Sequence, residues 1–180
     1  MTGLTVRPAV VTDADDIARV HVRAWREAYT GRMPQEILDR LDETPRADGW
    51  RRILTGDFPG EESDVWVAVR DHEIIGFASS GRCRDADAAP GRIELFALYV
   101  LAAHYGSGAG QALLDAAIGA APATLWVLDD NPRARAFYAR NGFMPDGTVK
   151  LDDRWGQPIR EIRLTRTEVS AAEPPSAPSP

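Results

Sequence analysis

The densest chemical signal in the chain is the glycine run Gly106-Ser107-Gly108-Ala109-Gly110. It follows the apolar stretch Leu95-Phe96-Ala97-Leu98-Tyr99-Val100 and leads into a helix-forming segment. Strand, glycine loop and helix start, in that order, make an anion site. Glycines let the main chain pass close to a bulky anion and turn N–H groups toward it, and the helix N-terminus adds about half a positive charge. A phosphate-bearing ligand is the expected guest, and a tight strand-to-helix turn is the plainer use of the same glycines. No lysine occurs between Gly106 and Ala121, which argues against a nucleoside-triphosphate loop. A dinucleotide fingerprint needs a third glycine or alanine where Gln111 stands, although Asp129 and Asp130 fall near the place of a ribose-binding acid. The loop also comes after at least three expected strands instead of opening the domain.

The other reactive side chains make weaker patterns. His21, His72 and His104 are too scattered for a metal motif and a lone cysteine builds no zinc site, so no metal is expected. His21 reads as a residue on a helix face, Cys83 as a small buried filler, and Asp129 with Asp130 as a solvated loop.

Several elements must carry these groups. Leu4 to Pro8 reads as a strand, and Thr12 offers a side-chain cap to a helix whose face repeats through Ala14, Ile17, Ala18, His21, Trp25 and Ala28 before Gly31 stops it. Pro34 and Pro45 start two further helices, the second running past Trp50 to Leu54 and ending at Gly56. Val65–Val69 and Ile74–Ser79 form a hairpin across Asp71, His72 and Glu73. The spacing then predicts a loop from Arg84 to Gly91, a strand over Arg92–Leu101, a helix over Gln111–Ala121 and a strand over Thr124–Leu128. Asn131 and Pro132 cap and open another helix, closed by Gly142. A strand pair follows around Gly147–Leu151 and Ile159–Leu164, turning at Asp153 to Gln157.

Two stretches resemble the GNAT superfamily, the acetyl-CoA-dependent N-acetyltransferases. One is Leu98-Tyr99-Val100 followed by Gly106 through Leu114; the other is Leu125-Trp126-Val127-Leu128 with Asn131, Ala134, Phe137, Tyr138, Gly142 and Phe143. With Trp25, Tyr29 and Pro34, the resemblance spans residues 4–166. It implies an α/β (α+β) fold: a mixed, mostly antiparallel twisted sheet of about six to seven strands, splayed between the fourth and fifth and flanked by helices. In that fold the pantetheine arm of the donor lies in the splay. By similarity, main-chain groups of Leu98 and Val100 would pair with the arm and polarise the thioester carbonyl, with Tyr99 and Ala134 also at the cofactor, Gly106, Ser107, Gly108, Ala109, Gly110 and Gln111 would hold the pyrophosphate, and Asn131 would hydrogen-bond the arm. Tyr138 would sit near the sulfur. Tyr105 stands where the family usually has Arg or Gln, which implies a weaker side-chain contact at the loop entrance.

The resemblance implies acetyl transfer to a primary amine of a small molecule or peptide, by direct attack in a ternary complex. A lysine-like amine with a pKa of about 10.4 is about one part in a thousand neutral near neutral pH, equivalent to roughly 4 kcal/mol, so a base must accept its proton. Glu94, four residues before Leu98, is the candidate base, and Tyr138 the candidate proton donor to the leaving thiolate. Trp25 and Tyr29 are candidates for the acceptor pocket, with Trp50 a weaker one. The reading from a different class is a non-catalytic sensor that binds acyl-CoA or a dinucleotide on the same loop.

Composition agrees. The chain has 180 residues, 44% hydrophobic and 27% charged, the profile of one folded domain, expected over residues 1–169. Residues 170–180 are almost wholly Ser, Ala and Pro and are expected to be a disordered tail. The net charge of −6 argues against a nucleic-acid partner and suits a cationic acceptor. The longest apolar run, Leu95 to Ala103, is nine residues, too short to cross a bilayer, and the first twenty carry no secretory signal. The expected location is the cytoplasm, with no membrane partner. Oligomeric state is left open, a homodimer being one arrangement.

Overall fold

Continuous, largely apolar runs along Ser63–Arg70 and Glu73–Arg82 give two strands, β2 and β3 in chain order, whose central residues must be covered on both faces of a sheet. Asp71 and His72, at φ 51° and 68°, join them in the left-handed conformation that a two-residue hairpin turn requires. In the computed structural model, which describes residues 3–57, 62–152 and 158–167, this hairpin lies within a seven-stranded sheet. The other strands are β1 (Thr5–Pro8), β4 (Ile93–Val100), β5 (Ala123–Leu128), β6 (Met144–Asp152) and β7 (Ile159–Arg166). Their order is β1-β2-β3-β4-β5-β7-β6, antiparallel except where β4 meets β5. The expected turn at 153–157 and the expected tail at 170–180 fall outside the described residues.

Helices cover both faces. On one, α1 (Ala14–Tyr29) and α3 (Glu43–Thr55) pack Ile17, Ala18 and Trp50 onto Val65, Val67 and Phe77. The short α2 (Gln35–Asp39) is tied to α1 by Arg26, whose guanidinium donates to the Leu38 and Leu41 carbonyls at its C-terminal end. On the other face, α4 (Ala109–Ile118) buries Leu113, Leu114 and Ile118 against Ile75, Leu95 and Leu125, and the last helix, α5 (Pro132–Arg140), brings Tyr138 to the same cluster. At about 25 cal/mol per Å², full burial of each of these large side chains contributes roughly 1.5–3 kcal/mol.

Local chemistry adjusts the expected ends. Asp13, not Thr12, organises the entry to α1: its carboxylate accepts from the Val10 N–H at 2.8 Å and from the Arg7 guanidinium at 2.7 and 2.9 Å. Two charged acceptor oxygens outdo one hydroxyl there. The α4 helix starts two residues before Gln111 because Gly108, at φ +87°, turns the chain straight into it. In α5, Asn131 Oδ1 caps the Ala134 N–H at 3.1 Å and Gly142, at φ +81°, follows the end.

Candidate active site

The site begins with a fault in the sheet. Ser79 pairs with Ala97 but Ser80 pairs with Leu95, so Phe96 is an extra residue, a β-bulge in β4. Its ring packs over Gly81, where a Cβ would lie 2.8 Å from the Phe96 ring and 2.5 Å from the Glu62 carbonyl oxygen. A bulge reverses the parity of the strand. Before it, Leu95 faces the α4 side; after it, Leu98 and Val100 do, while Ala97 and Tyr99 face α1 and α3.

The main chain switches in the same way. Leu101 donates to Ile75 at 2.9 Å, toward β3, so the alternation along an antiparallel strand turns the N–H and C=O of Leu98 and Val100 away from β3 toward β5. They meet no strand there. The β4–β5 pairing runs only from Ile93–Ala123 to Leu95–Leu125, and beyond it the two strands part. The gap opens into a cleft of about 680 Å³, within the range of small-ligand sites.

Most of the residues singled out in the sequence line that cleft: Glu94, Leu98, Tyr99, Val100, Tyr105, Gly106, Gly108, Gly110, Gln111, Asn131, Ala134, Tyr138, Trp25 and Tyr29. Ser107 and Ala109 do not. Ser107 Oγ accepts from the Ala109 N–H at 3.4 Å, the Ser107 N–H donates to the His104 carbonyl at 3.3 Å, and the Ala109 side chain is buried in the core. Trp50 belongs to a different cavity, between α1 and α3.

The glycine loop makes a cradle by conformation, not by crowding. Gly106 and Gly108 sit at φ +76° and +87°, with nothing within 4 Å of where a Cβ would be. The first-turn N–H groups of α4 have no preceding helix carbonyls to bond. The Gln111 side chain is used elsewhere, donating to Asp115 at 2.9 Å and to Asn141 at 2.8 Å, so Gln111 offers the cleft chiefly its main chain. Beside the loop the Arg133 guanidinium, from the first turn of α5, lies over the Tyr105 ring. No carboxylate pairs with it among the described residues. These groups fit a polyanion: aimed main-chain donors, a helix N-terminus and an unpaired cation.

The tyrosines divide by their hydroxyls. Those of Tyr29 and Tyr99 bond each other at 3.3 Å, and burial raises both, Tyr99 to about 12. Tyr138 packs edge-on against Phe137 and Phe143, and its hydroxyl has no protein partner among the described residues while its side chain lines the cleft. Burial pushes it, too, well above the usual phenol range, so it stays protonated at neutral pH.

Glu94 lies on the paired part of β4, opposite Thr124, and is 5% exposed. Both of its oxygens are held, one by the Arg84 N–H at 3.0 Å and one by the Arg84 guanidinium at 3.4 Å. Three acids missed in the sequence, Glu27, Asp152 and Glu161, also line the cleft. Glu27 accepts from the Ala102 N–H at 2.7 Å and so ties α1 to the chain just past β4, and Glu161 pairs with Lys150 at 3.0 Å. The loop before β4 is pinned by Arg163, which bridges Asp85, Asp87 and Asp146. Asp129 is more than a solvated loop residue, since it pairs with both Arg135 and Arg160.

A model of the Acetyltransferase (GNAT) family matches residues 19–143. The chain belongs to that family. It is 34% identical over 177 residues to the uncharacterized N-acetyltransferase YuaI of Bacillus subtilis, covering 93% of this chain and 95% of that one. It is also 26% identical over 160 residues to the probable N-acetyltransferase Rv2775 of Mycobacterium tuberculosis, covering 81% and 83%. Among solved structures, PaiA N-acetyltransferase from Thermoplasma acidophilum in complex with coenzyme A matches with TM-score 0.63 and 17% identity over 92% of this chain and 99% of that one. YncA from Salmonella typhimurium, a putative acetyltransferase with its cofactor acetyl-CoA, matches with TM-score 0.67 and 21% identity over 98% and 100%. This GNAT protein is therefore an acyltransferase with the splayed mixed sheet that the resemblance implied. No helix among the described residues is long and apolar enough to cross a membrane.

Proposed function

We propose that this protein transfers the acetyl group of acetyl-CoA to a primary amine of a small molecule or peptide, by direct attack with both substrates bound. The observation that carries this reading is the unzipped β4 edge, whose free Leu98 and Val100 main-chain groups lead to the glycine cradle at Gly106 to Gln111. Acetyl-CoA bound there supplies the thioester carbonyl and leaves as the free thiol once the new N–C bond forms and the C–S bond breaks.

The chain's own groups hold and move protons around that exchange. Main-chain N–H groups on the β4 edge orient the donor and donate to the carbonyl oxygen as charge builds on it. Arg133 supplies the loop-entrance cation that Tyr105 does not, with the Tyr105 ring holding its guanidinium in place. A water between the amine and Glu94 carries the amine proton to the carboxylate, since Arg84 holds Glu94 back on the paired part of the strand. The Tyr138 hydroxyl stabilises the departing thiolate by donating a hydrogen bond. With its own pKa raised, complete transfer of its proton to a thiol of pKa about 8.5 would be uphill, and solvent supplies the proton in the end. Holding amine and thioester together contributes roughly 7–11 kcal/mol, more than either side chain.

Two measurements test the reading. Thiol release from acetyl-CoA over a panel of amines, with mass-spectrometric detection of the product, is expected to show an N-acetylated amine. Acetyl-CoA binding without thiol release across the panel would instead indicate the sensor. Calorimetry is expected to show coenzyme A binding to the wild type and about tenfold weaker binding to Arg133→Gln. Equal affinities would remove Arg133 from the site.

A further inference from the structure

A second cavity, of about 730 Å³, lies between α1, α2 and α3. Its walls are mostly apolar, formed by Ile37, Leu41, Trp50 and Ile53, and into it come His21 from α1 and Arg46 from α3. The Arg46 guanidinium stands over the Trp25 ring, 5.6 Å from its centroid, and is half-buried. No carboxylate pairs with it among the described residues.

Several other arginines also lack a carboxylate, but Arg26, Arg32, Arg92 and Arg166 donate to main-chain carbonyls, whereas Arg46 makes no hydrogen bond among the described residues. Acids outnumber Lys and Arg by 27 to 21, and Arg7, Arg19, Arg23, Arg51, Arg84, Arg135, Arg160 and Arg163 all hold carboxylates. Arg40, on the rim of the same cavity, has no carboxylate partner among the described residues either. The acid in the lining, Asp42, caps α3 by accepting from the Thr44 N–H at 2.9 Å. A guanidinium taken partly out of water without a counter-charge is costly, and an anion arriving with its own apolar body offsets that cost. His21 adds no competing charge. Its Nδ1 accepts from Trp50 Nε1 at 3.3 Å, which leaves Nε2 to carry the ring proton as a donor.

We infer that the α1–α3 cavity is a binding site for an organic carboxylate with an apolar body, its carboxylate on the Arg46 guanidinium and its hydrocarbon part between Leu41, Trp50 and Ile53. A planar carboxylate is the anion that a guanidinium fork matches in two parallel hydrogen bonds, and these walls suit a short alkyl or aryl chain. The site is distinct from the glycine cradle, although His21 stacks on Tyr99 with ring centroids 5.5 Å apart, so one aromatic layer separates cavity from cleft.

Calorimetry and tryptophan fluorescence of the full chain with hexanoate and phenylacetate, each beside its neutral amide, test this. Saturable binding of both carboxylates below about 10 mM is expected, with the amides and acetate at least about tenfold weaker. Arg46→Met is expected to lose the binding and Arg46→Lys to regain part of it. Ile53→Trp, which fills the cavity and keeps Arg46, is expected to lose it as well. Saturating coenzyme A is expected to leave hexanoate bound. Displacement by coenzyme A would move the carboxylate to the cradle and overturn the proposal, as would amides binding as tightly as acids, unchanged binding in Arg46→Met, or no binding of either carboxylate. Because coenzyme A binding to Arg46→Met is measured alongside, failure here is separate from failure of the acetyltransferase reading.

Discussion

The cleft and the α1–α3 cavity are similar in size, yet they are built from different parts of the chain. The cleft presents main-chain groups: the β4 edge beyond Leu95, the glycine loop and the start of α4. The cavity presents side chains from three helices and the turn between α2 and α3, with Arg46 and His21 beside Trp50. A main-chain site depends on conformation and tolerates many side chains, provided the bulge and the positive-φ glycines persist. A side-chain site depends on distant residues meeting, and each charged or titratable member carries its own desolvation cost.

The sharpest way to break this contrast is to change conformation in the cradle without touching a side-chain contact. Gly108→Val adds nothing that collides, since the space around a Cβ there is open, but it forces a β-branched residue to φ +87°. If the cradle works through the direction of its N–H groups, acetyl-CoA affinity falls by roughly 100-fold while the melting temperature shifts by only a few degrees. Calorimetry beside thermal unfolding decides it, and retained affinity would show that side chains hold the anion after all. A smaller effect is expected from Tyr138→Phe, which removes one hydrogen bond to developing charge and leaves the ring packed on Phe137 and Phe143. Turnover should drop roughly 10- to 100-fold with acetyl-CoA affinity nearly unchanged. Steady-state kinetics with unchanged turnover would leave Tyr138 a packing residue only.

The same contrast explains what could be read from the chain. Strand, glycines and helix are contiguous, so their order announces the cradle, and Asn131, Pro132 and Gly142 mark the ends of α5 for the same local reason. The bulge at Phe96 was not legible, because it is set by the pairing of Ser79 and Ser80 and by the room that Gly81 leaves on the neighbouring strand. Without it, alternation from Leu95 would aim Ala97 and Tyr99, not Leu98 and Val100, at the gap. Arg133 was missed because its role depends on the fold bringing α5 against Tyr105, 28 residues earlier in the sequence. His21, Arg46 and Trp50 leave no motif at all; each reads singly as one more position on a helix.

The side-chain region should also betray itself in the pH dependence of folding, where the cradle is silent. Burial, with Arg46 nearby, lowers His21 from its ordinary pKa to about 3. Above about pH 6.5 the ring is neutral in both folded and unfolded chains and contributes no slope. Between about pH 6.5 and pH 3 the unfolded chain binds a proton that the folded chain refuses, so stability declines as pH falls, by about 1.4 kcal/mol per pH unit from this group. Asp13 acts in a different window: its pKa is lowered by the Arg7 hydrogen bonds, so its stabilisation is present above the usual carboxylate pKa of about 4 and is lost only below that. Urea unfolding between pH 6.5 and pH 4.5 therefore isolates His21. The slope expected of the wild type should flatten in His21→Gln, whose amide does not titrate but can still accept from Trp50. An equal slope in the two proteins would mean that water reaches the imidazole through the cavity and lets it charge in place, and the cavity would then be a wet cleft instead of a desolvated pocket waiting for a carboxylate.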